Sequence, residues 1–210
     1  MTIEYLRNGP STPRLLLAHG AGVGMDSDFM QQMAERIAAL GVGVVRFEFP
    51  YMAERRQTGK KRPPDRQPVL LDTWRQVLAD HAGEGPLVIG GKSMGGRMAT
   101  LLAAELEAEG CPVAGVICLG YPFHPPGKPE KLRTEHLQSL RTPVLMLQGS
   151  RDPMGSREEV QGYDLSDTVV MSWLEDGNHD LKPRVKSGFS HDQHLATAAG
   201  NIVDFFGGLC

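Results

Sequence analysis

The chain has 210 residues, 40 % of them hydrophobic and 22 % charged, with a formal net charge of −3. That length and balance suit one soluble domain over 1–210 with a substantial core. They exclude the strong basic excess of a nucleic-acid binder, and no apolar run approaches the length of a membrane span. Met1–Arg7 lacks the basic and apolar stretches of a secretory signal. Cys111, Cys118 and Cys210 are odd in number and lack C-x-x-C spacing, so neither a disulfide framework nor a zinc site is expected. A cytoplasmic protein is expected, without metal, cofactor, nucleic acid or membrane as partner, and monomeric or homodimeric.

Apolar runs of strand length alternate with longer amphipathic stretches. Strands are predicted near Arg14–His19, Val42–Phe47, Leu87–Gly90, Val113–Leu119, Val144–Gln148 and Val169–Leu174, with an edge strand near Ile3–Leu6. Most are continuous hydrophobic runs, the pattern of strands buried on both faces of a parallel sheet. Helices are predicted over Phe29–Leu40, Leu70–Ala82, Gly95–Glu109 and Asp192–Phe206, with short ones at Thr134–Leu140 and Arg157–Gly162. Alternating β and α of this kind implies an α/β fold, a mostly parallel doubly wound sheet with helices on both faces. Two stretches read as loops: a basic one from Pro50 to Pro68 and a proline-rich one from Tyr121 to Lys131.

The chemistry is concentrated at Gly91-Lys92-Ser93-Met94-Gly95. A strand precedes this G-x-S-x-G and a helix follows it, the context of a nucleophile elbow. Such a turn exposes the serine hydroxyl above the sheet, and the helix behind it directs unpaired N–H groups at the site. A phosphate loop would need a glycine where Pro86 stands, so the Gly-Lys-Ser triplet does not belong to one.

A serine hydroxyl needs a base, and the base needs a carboxylate to fix its tautomer. In open α/β sheets such groups lie past the carboxyl ends of strands. Asp152 follows the run Val144–Gln148, and His179 follows Val169–Leu174. The order Ser93, Asp152, His179 is the one that accompanies this kind of elbow. Asp176 and Asp180 flank His179, but near neighbours in sequence seldom reach behind the imidazole, which favours Asp152. For the oxyanion, one donor is expected from the backbone N–H of Met94 and a second from Ala21, in the glycine-rich stretch His19–Gly24. His19 itself reads as a structural brace for that stretch.

On these elements the chain resembles the α/β-hydrolase superfamily over most of its length. The likeness rests on Leu17–Gly22, Gly91–Arg97, Leu147–Asp152 and Gly177–Asp180. Gly91-Lys92-Ser93-Met94-Gly95-Gly96-Arg97 together with Gly120–Gly127 is similar to a small, lidless group distantly related to dienelactone hydrolases. The resemblance implies the α/β-hydrolase fold and the triad. It departs from dienelactone hydrolases at the nucleophile, which is a cysteine there and Ser93 here, so a lactonase is not implied.

Only Gly120–Thr142 separates the strand after the elbow helix from the next one, too short for a cap domain. Tyr121, Phe123 and His124 at a strand end are candidate cleft residues. Arg55, Arg56 and Lys60 in the basic stretch are candidates for recruiting an anionic substrate, with Lys92 and Arg97. The expected function is that of a carboxylesterase-like serine hydrolase acting on an ester or related acyl bond of a small molecule. An acyltransferase or peptidase would use the same residues, and a non-catalytic interaction module on the same scaffold is the alternative from another class.

Overall fold

The apolar runs pair into one seven-stranded sheet in the computed structural model, which describes residues 3–83, 85 and 87–209. Met1, Thr2, Glu84, Pro86 and Cys210 lie outside the described residues, so the expected ends of the domain, Pro86 and the third cysteine are not placed. The strands are β1 (Tyr5–Asn8), β2 (Arg14–Ala18), β3 (Gly43–Phe47), β4 (Leu87–Lys92), β5 (Gly115–Leu119), β6 (Val144–Gly149) and β7 (Val169–Leu174). Their spatial order is β1-β3-β2-β4-β5-β6-β7. β1 runs antiparallel to β3, with Tyr5 opposite Phe47, and every other pairing is parallel.

Successive residues of each central strand feed opposite cores, which explains the unbroken apolar runs. Leu16, Ile89, Val116 and Met146 face one core, while Leu15, Val88, Ile117 and Leu145 face the other. The first core is closed by α2 (Pro50–Thr58), α3 (Gln67–Asp80) and α4 (Met94–Ala108). Its largest member is Trp74, fully buried with its ring edge-on to Phe47 at 4.7 Å. The second core is closed by α1 (Asp28–Ala39) and α6 (His191–Gly207), through Met33, Ile37, Leu195 and Ile202. A one-turn α5 (Arg157–Val160) opens on a capping box, in which Ser156 and Glu159 satisfy each other's backbone N–H.

Two departures from the sequence expectation stand out. The stretch Pro50–Pro68 is not a loop throughout, because its first half is α2. Pro50 occupies the first turn, where a missing N–H costs nothing, and Gly59 ends the helix at φ 70°. Asp65 accepts the free N–H of Tyr51 at 2.9 Å. Only Tyr51 and Met52 of this helix are buried, too few to register as a helical period. The second departure is Thr134–Leu140, which holds only a 3₁₀ turn over Glu135–Leu137. That turn is the only helical element between β5 and β6 among the described residues, so no separate cap domain covers the sheet. No helix among the described residues is long and apolar enough to cross a membrane.

Candidate active site

β4 lies between β2 and β5, with Gly91 in register with Ala18 and Cys118. The chain leaves it through Ser93 at φ 53° and ψ −115°, and α4 begins at the next residue. A side chain at positive φ costs on the order of 1–3 kcal/mol and persists only where the surroundings over-determine it. Here the N–H of Ser93 donates to the Leu119 carbonyl at 3.0 Å, and its own carbonyl accepts from Arg97 at 3.0 Å. The turn also needs glycine on both sides. A Cβ on Gly91 would stand 2.5 Å from the Gly95 carbonyl carbon, and one on Gly95 would stand 2.6 Å from the His19 oxygen.

Past the ends of β6 and β7 the loops bring two further side chains to the serine. His179 Nε2 lies 2.8 Å from Ser93 Oγ, and its Nδ1 lies 2.7 Å from Asp152 Oδ2. Asp152 is fully buried. Its carboxylate also accepts from Gln148 Nε2 at 2.9 Å and from the Met154 N–H at 2.9 Å. With Nδ1 donating to this carboxylate, Nε2 is left as the acceptor for the serine hydroxyl. The flanking carboxylates are committed elsewhere. Asp176 is paired with Arg184 and Arg151, which hold its pKa down at about 2, the Arg184 hydrogen bond contributing most. Asp180 is 3.2 Å from Lys92 Nζ.

The loop after β2 is braced from α2. His19 is fully buried, and its Nε2 accepts the Phe49 N–H at 3.1 Å. Nδ1 therefore carries the proton and donates to the Gly20 carbonyl at 2.6 Å. Burial lowers the His19 pKa, which keeps the ring neutral in this role. Tyr51 Oη shares its one proton between the carbonyls of Gly20 and Ala21, at 3.3 and 3.0 Å, and Arg55 donates to that of Gly22 at 2.8 Å. In a trans peptide the C=O and the following N–H point oppositely. Holding the Gly20 carbonyl toward His19 and Tyr51 thus turns the Ala21 N–H away from them. Met94 is the first residue of α4, so its N–H has no acceptor within the helix.

A cleft of about 480 Å³ lies over Ser93. Its walls include Ala21, Pro64, Arg97, Pro122, Arg133 and His179. Tyr121, Phe123 and His124 do not line it. Tyr121 and Phe123 are fully buried, the first donating to the Arg133 carbonyl at 2.8 Å and the second packed on Tyr121 and Tyr163. His124 turns inward, with Nε2 3.4 Å from Glu159. All three sit just past the end of β5, but Tyr121 and Phe123 point into the core and His124 packs beside Glu159. Arg56 is likewise occupied, by buried Glu48 at 2.6 Å and by Asp26 at 2.8 Å, beside a separate hollow. Those carboxylates raise the Arg56 pKa further. Lys92 is buried rather than free to meet substrate, its ammonium donating to the His179 carbonyl at 2.8 Å.

Three residues at the site escaped the sequence reading. Gln148 bridges Asp152 to the carbonyls of Tyr121 and Gly155. Its one sequence signal is an amide closing an apolar strand. Pro64 and Arg133 reach the cleft from segments with no periodicity, and nothing local marks them.

The model of the alpha/beta hydrolase domain matches residues 11–207. The chain belongs to the alpha/beta hydrolase family. Among solved structures it is similar to a lidless α/β serine hydrolase from Xanthomonas campestris, with a TM-score of 0.65 and 16 % identity over 96 % of this chain and 87 % of that one. The esterase domain of a Rhodothermus marinus protein superposes with a TM-score of 0.64 at 15 % identity, covering 97 % of both chains. A monoacylglycerol lipase from Paleococcus ferrophilus gives 0.68 at 13 % identity, covering 97 % of this chain and 99 % of that one. At such identities the likeness speaks for the fold alone.

Proposed function

We propose that this alpha/beta hydrolase cleaves an ester or closely related acyl bond of a small molecule through an acyl-enzyme on Ser93. The observation that carries the reading is the hydrogen-bonded line from Ser93 Oγ through His179 to buried Asp152, at 2.8 and 2.7 Å. An esterase and a lipase among the similar folds agree with it.

The roles follow from the acceptor and donor positions. Ser93 Oγ attacks the substrate carbonyl carbon while its proton passes to His179 Nε2. Asp152 holds the imidazole in place and stabilises the imidazolium that forms. The carbonyl oxygen becomes an oxyanion, taken by the N–H groups of Met94 and Ala21. Each such donor is worth about 3–4 kcal/mol in transition-state stabilisation. As the tetrahedral centre collapses, the C–O bond to the leaving alcohol breaks and His179 returns its proton to that alcohol. Water then attacks the acyl-enzyme by the same relay, releasing the acid and restoring Ser93. The sharp turn at Ser93, the cleft above it and the braced loop after β2 all support this assignment of roles.

A fluorophosphonate probe tests this reading. Labelling of the native protein, abolished in Ser93→Ala and accompanied by hydrolysis of a short 4-nitrophenyl ester, is the expected result. Folded protein that neither labels nor turns over any ester in a chain-length series overturns it.

A further inference from the structure

Arg97 stands one turn into α4 from Ser93, and Arg133 comes from the segment between β5 and β6; both line the cleft over Ser93 and are half-buried. Most other arginines near the site are spent on the fold. Arg55 holds the Gly22 carbonyl, Arg56 pairs with Glu48 and Asp26, and Arg62 pairs with Glu54 and Asp65. Among the described residues, neither the Arg97 nor the Arg133 guanidinium makes an ion pair or a side-chain hydrogen bond. The Nε of Arg97 is buried without any acceptor.

The surroundings of Arg97 leave its charge poorly compensated. Burial lowers the Arg97 pKa and Arg133 repels it, with only the Tyr121 phenol acting the other way. Arg97 in turn helps hold His136 in its neutral form. The carboxylates within reach do not relieve it. Asp180 on the cleft wall is taken by Lys92, and Glu135, which lines the adjoining groove with both arginines, forms no ion pair with either. Two half-buried arginines of like charge, lining one cavity, are complementary to an oxyanion that accepts from both.

We propose that Arg97 and Arg133 form an anion subsite, and that the substrate is an ester carrying a second group, a carboxylate or a phosphate, which this pair binds while the scissile carbonyl sits at Ser93. The proposal rests on the hydrolase reading above and adds the substrate class to it. It also moves the site of anion recognition from the basic stretch around Arg56 and Lys60 to the cleft wall itself.

The test compares kcat/KM for anionic esters with that for neutral counterparts of the same length. The 4-nitrophenyl monoester of glutaric acid is set against its methyl diester, with a phosphate-bearing analogue alongside, and the anion is placed once in the acyl and once in the alcohol portion. The native enzyme is expected to favour at least one anionic member by tenfold or more. Arg97→Gln and Arg133→Gln should each cut that ratio several-fold, and the double variant should bring it near one. Arg75→Gln, on the outer surface in ion pairs with Glu105 and Glu109, should leave the ratio as it is. No preference for any anionic member, or a ratio that survives the double variant, overturns the subsite. Calorimetric binding of glutarate and inorganic phosphate to Ser93→Ala separates the two readings. Binding that requires both arginines keeps the subsite even if Ser93 fails to label. Labelling without such binding or preference keeps the hydrolase and removes the subsite.

Discussion

Lys92 donates from its buried ammonium to the carbonyl of His179 at 2.8 Å, so the residue before Ser93 holds the loop that carries His179. The contact joins β4 to the loop after β7 across 87 positions of sequence. Asp180 at 3.2 Å and the Phe29 ring at 5.5 Å complete the ammonium's surroundings. Burial lowers the Lys92 pKa, and Asp180 opposes that shift. A hydrogen bond from a charged donor is worth about 1.5–3 kcal/mol. Lys92→Met is therefore expected to lower kcat by about ten- to a hundredfold through a misplaced imidazole, with KM for a neutral ester changing much less. Melting of the variant near the native temperature would locate the loss in the loop. An unchanged kcat would remove Lys92 from the positioning of His179.

The brace on the loop after β2 is tested at Tyr51. Tyr51→Phe keeps the packed ring and removes the one hydroxyl proton shared between the Gly20 and Ala21 carbonyls. Such a bond is worth about 0.5–1.5 kcal/mol. The expected effect is a fall in kcat of about tenfold, because the Ala21 N–H loses its fixed direction. The rate of fluorophosphonate labelling should fall with it, since the same donors receive the phosphoryl oxygen. A tyrosine that only packs would leave both rates unchanged.

The elbow itself is tested by stability. Gly91→Ala sets a Cβ 2.5–2.8 Å from backbone atoms of Gly95, Gly96 and Ala18, none of which can swing aside. A loss of more than about 3 kcal/mol is expected, seen as a collapsed denaturant midpoint or insoluble protein. A native midpoint would mean that β4 and α4 part more easily than their packing indicates.

Acid sensitivity has a source at His136. Burial first and Arg97 second lower its folded pKa to about 4 from the ordinary 6.5, while its Nε2 stays 2.8 Å from Thr100 Oγ1. Above pH 6.5 neither folded nor unfolded chain protonates it, and its contribution is fully present. Between 6.5 and about 4 the unfolded chain binds a proton that the folded one refuses, so stability falls as pH falls, by up to about 1.4 kcal/mol per pH unit. His136→Gln should flatten that part of the curve, measured as urea midpoints between pH 7.5 and 4.5. Parallel curves for the two proteins would rule His136 out as the source.

Much of this is legible in the amino-acid sequence. Ser93, Asp152 and His179 each follow an apolar strand, and strand burial writes itself into sequence as a local run of hydrophobic residues. The sheet and its helices follow from the same patterning, apart from α2 and the Thr134–Leu140 stretch, where only a 3₁₀ turn forms. The α2 helix hides because its exposed face is charged and its buried face is only Tyr51 and Met52. For Tyr121, Phe123 and His124 the sequence leaves open whether the side chain lines the cleft or packs inward, for a related reason. Position at a strand end is local information, whereas the direction of a side chain there depends on what packs above it, here Tyr163, Arg133 and Glu159.

What the sequence alone determined is the set of groups present at the carboxyl ends of the strands and their order along the chain. Hydrophobic periodicity and glycine placement are short-range properties, and they suffice to mark the strand–turn–helix at Ser93. Only the tertiary structure decided which groups meet. Asp152 faces His179 while Asp176 turns to Arg184 and Arg151, and Lys92 turns inward to His179. It also left Arg97 and Arg133 together on the cleft wall, neither in an ion pair among the described residues. Those choices come from sheet order and from contacts between residues far apart in sequence. Pairing there is set by burial and the competition among neighbouring charges, which no local window contains.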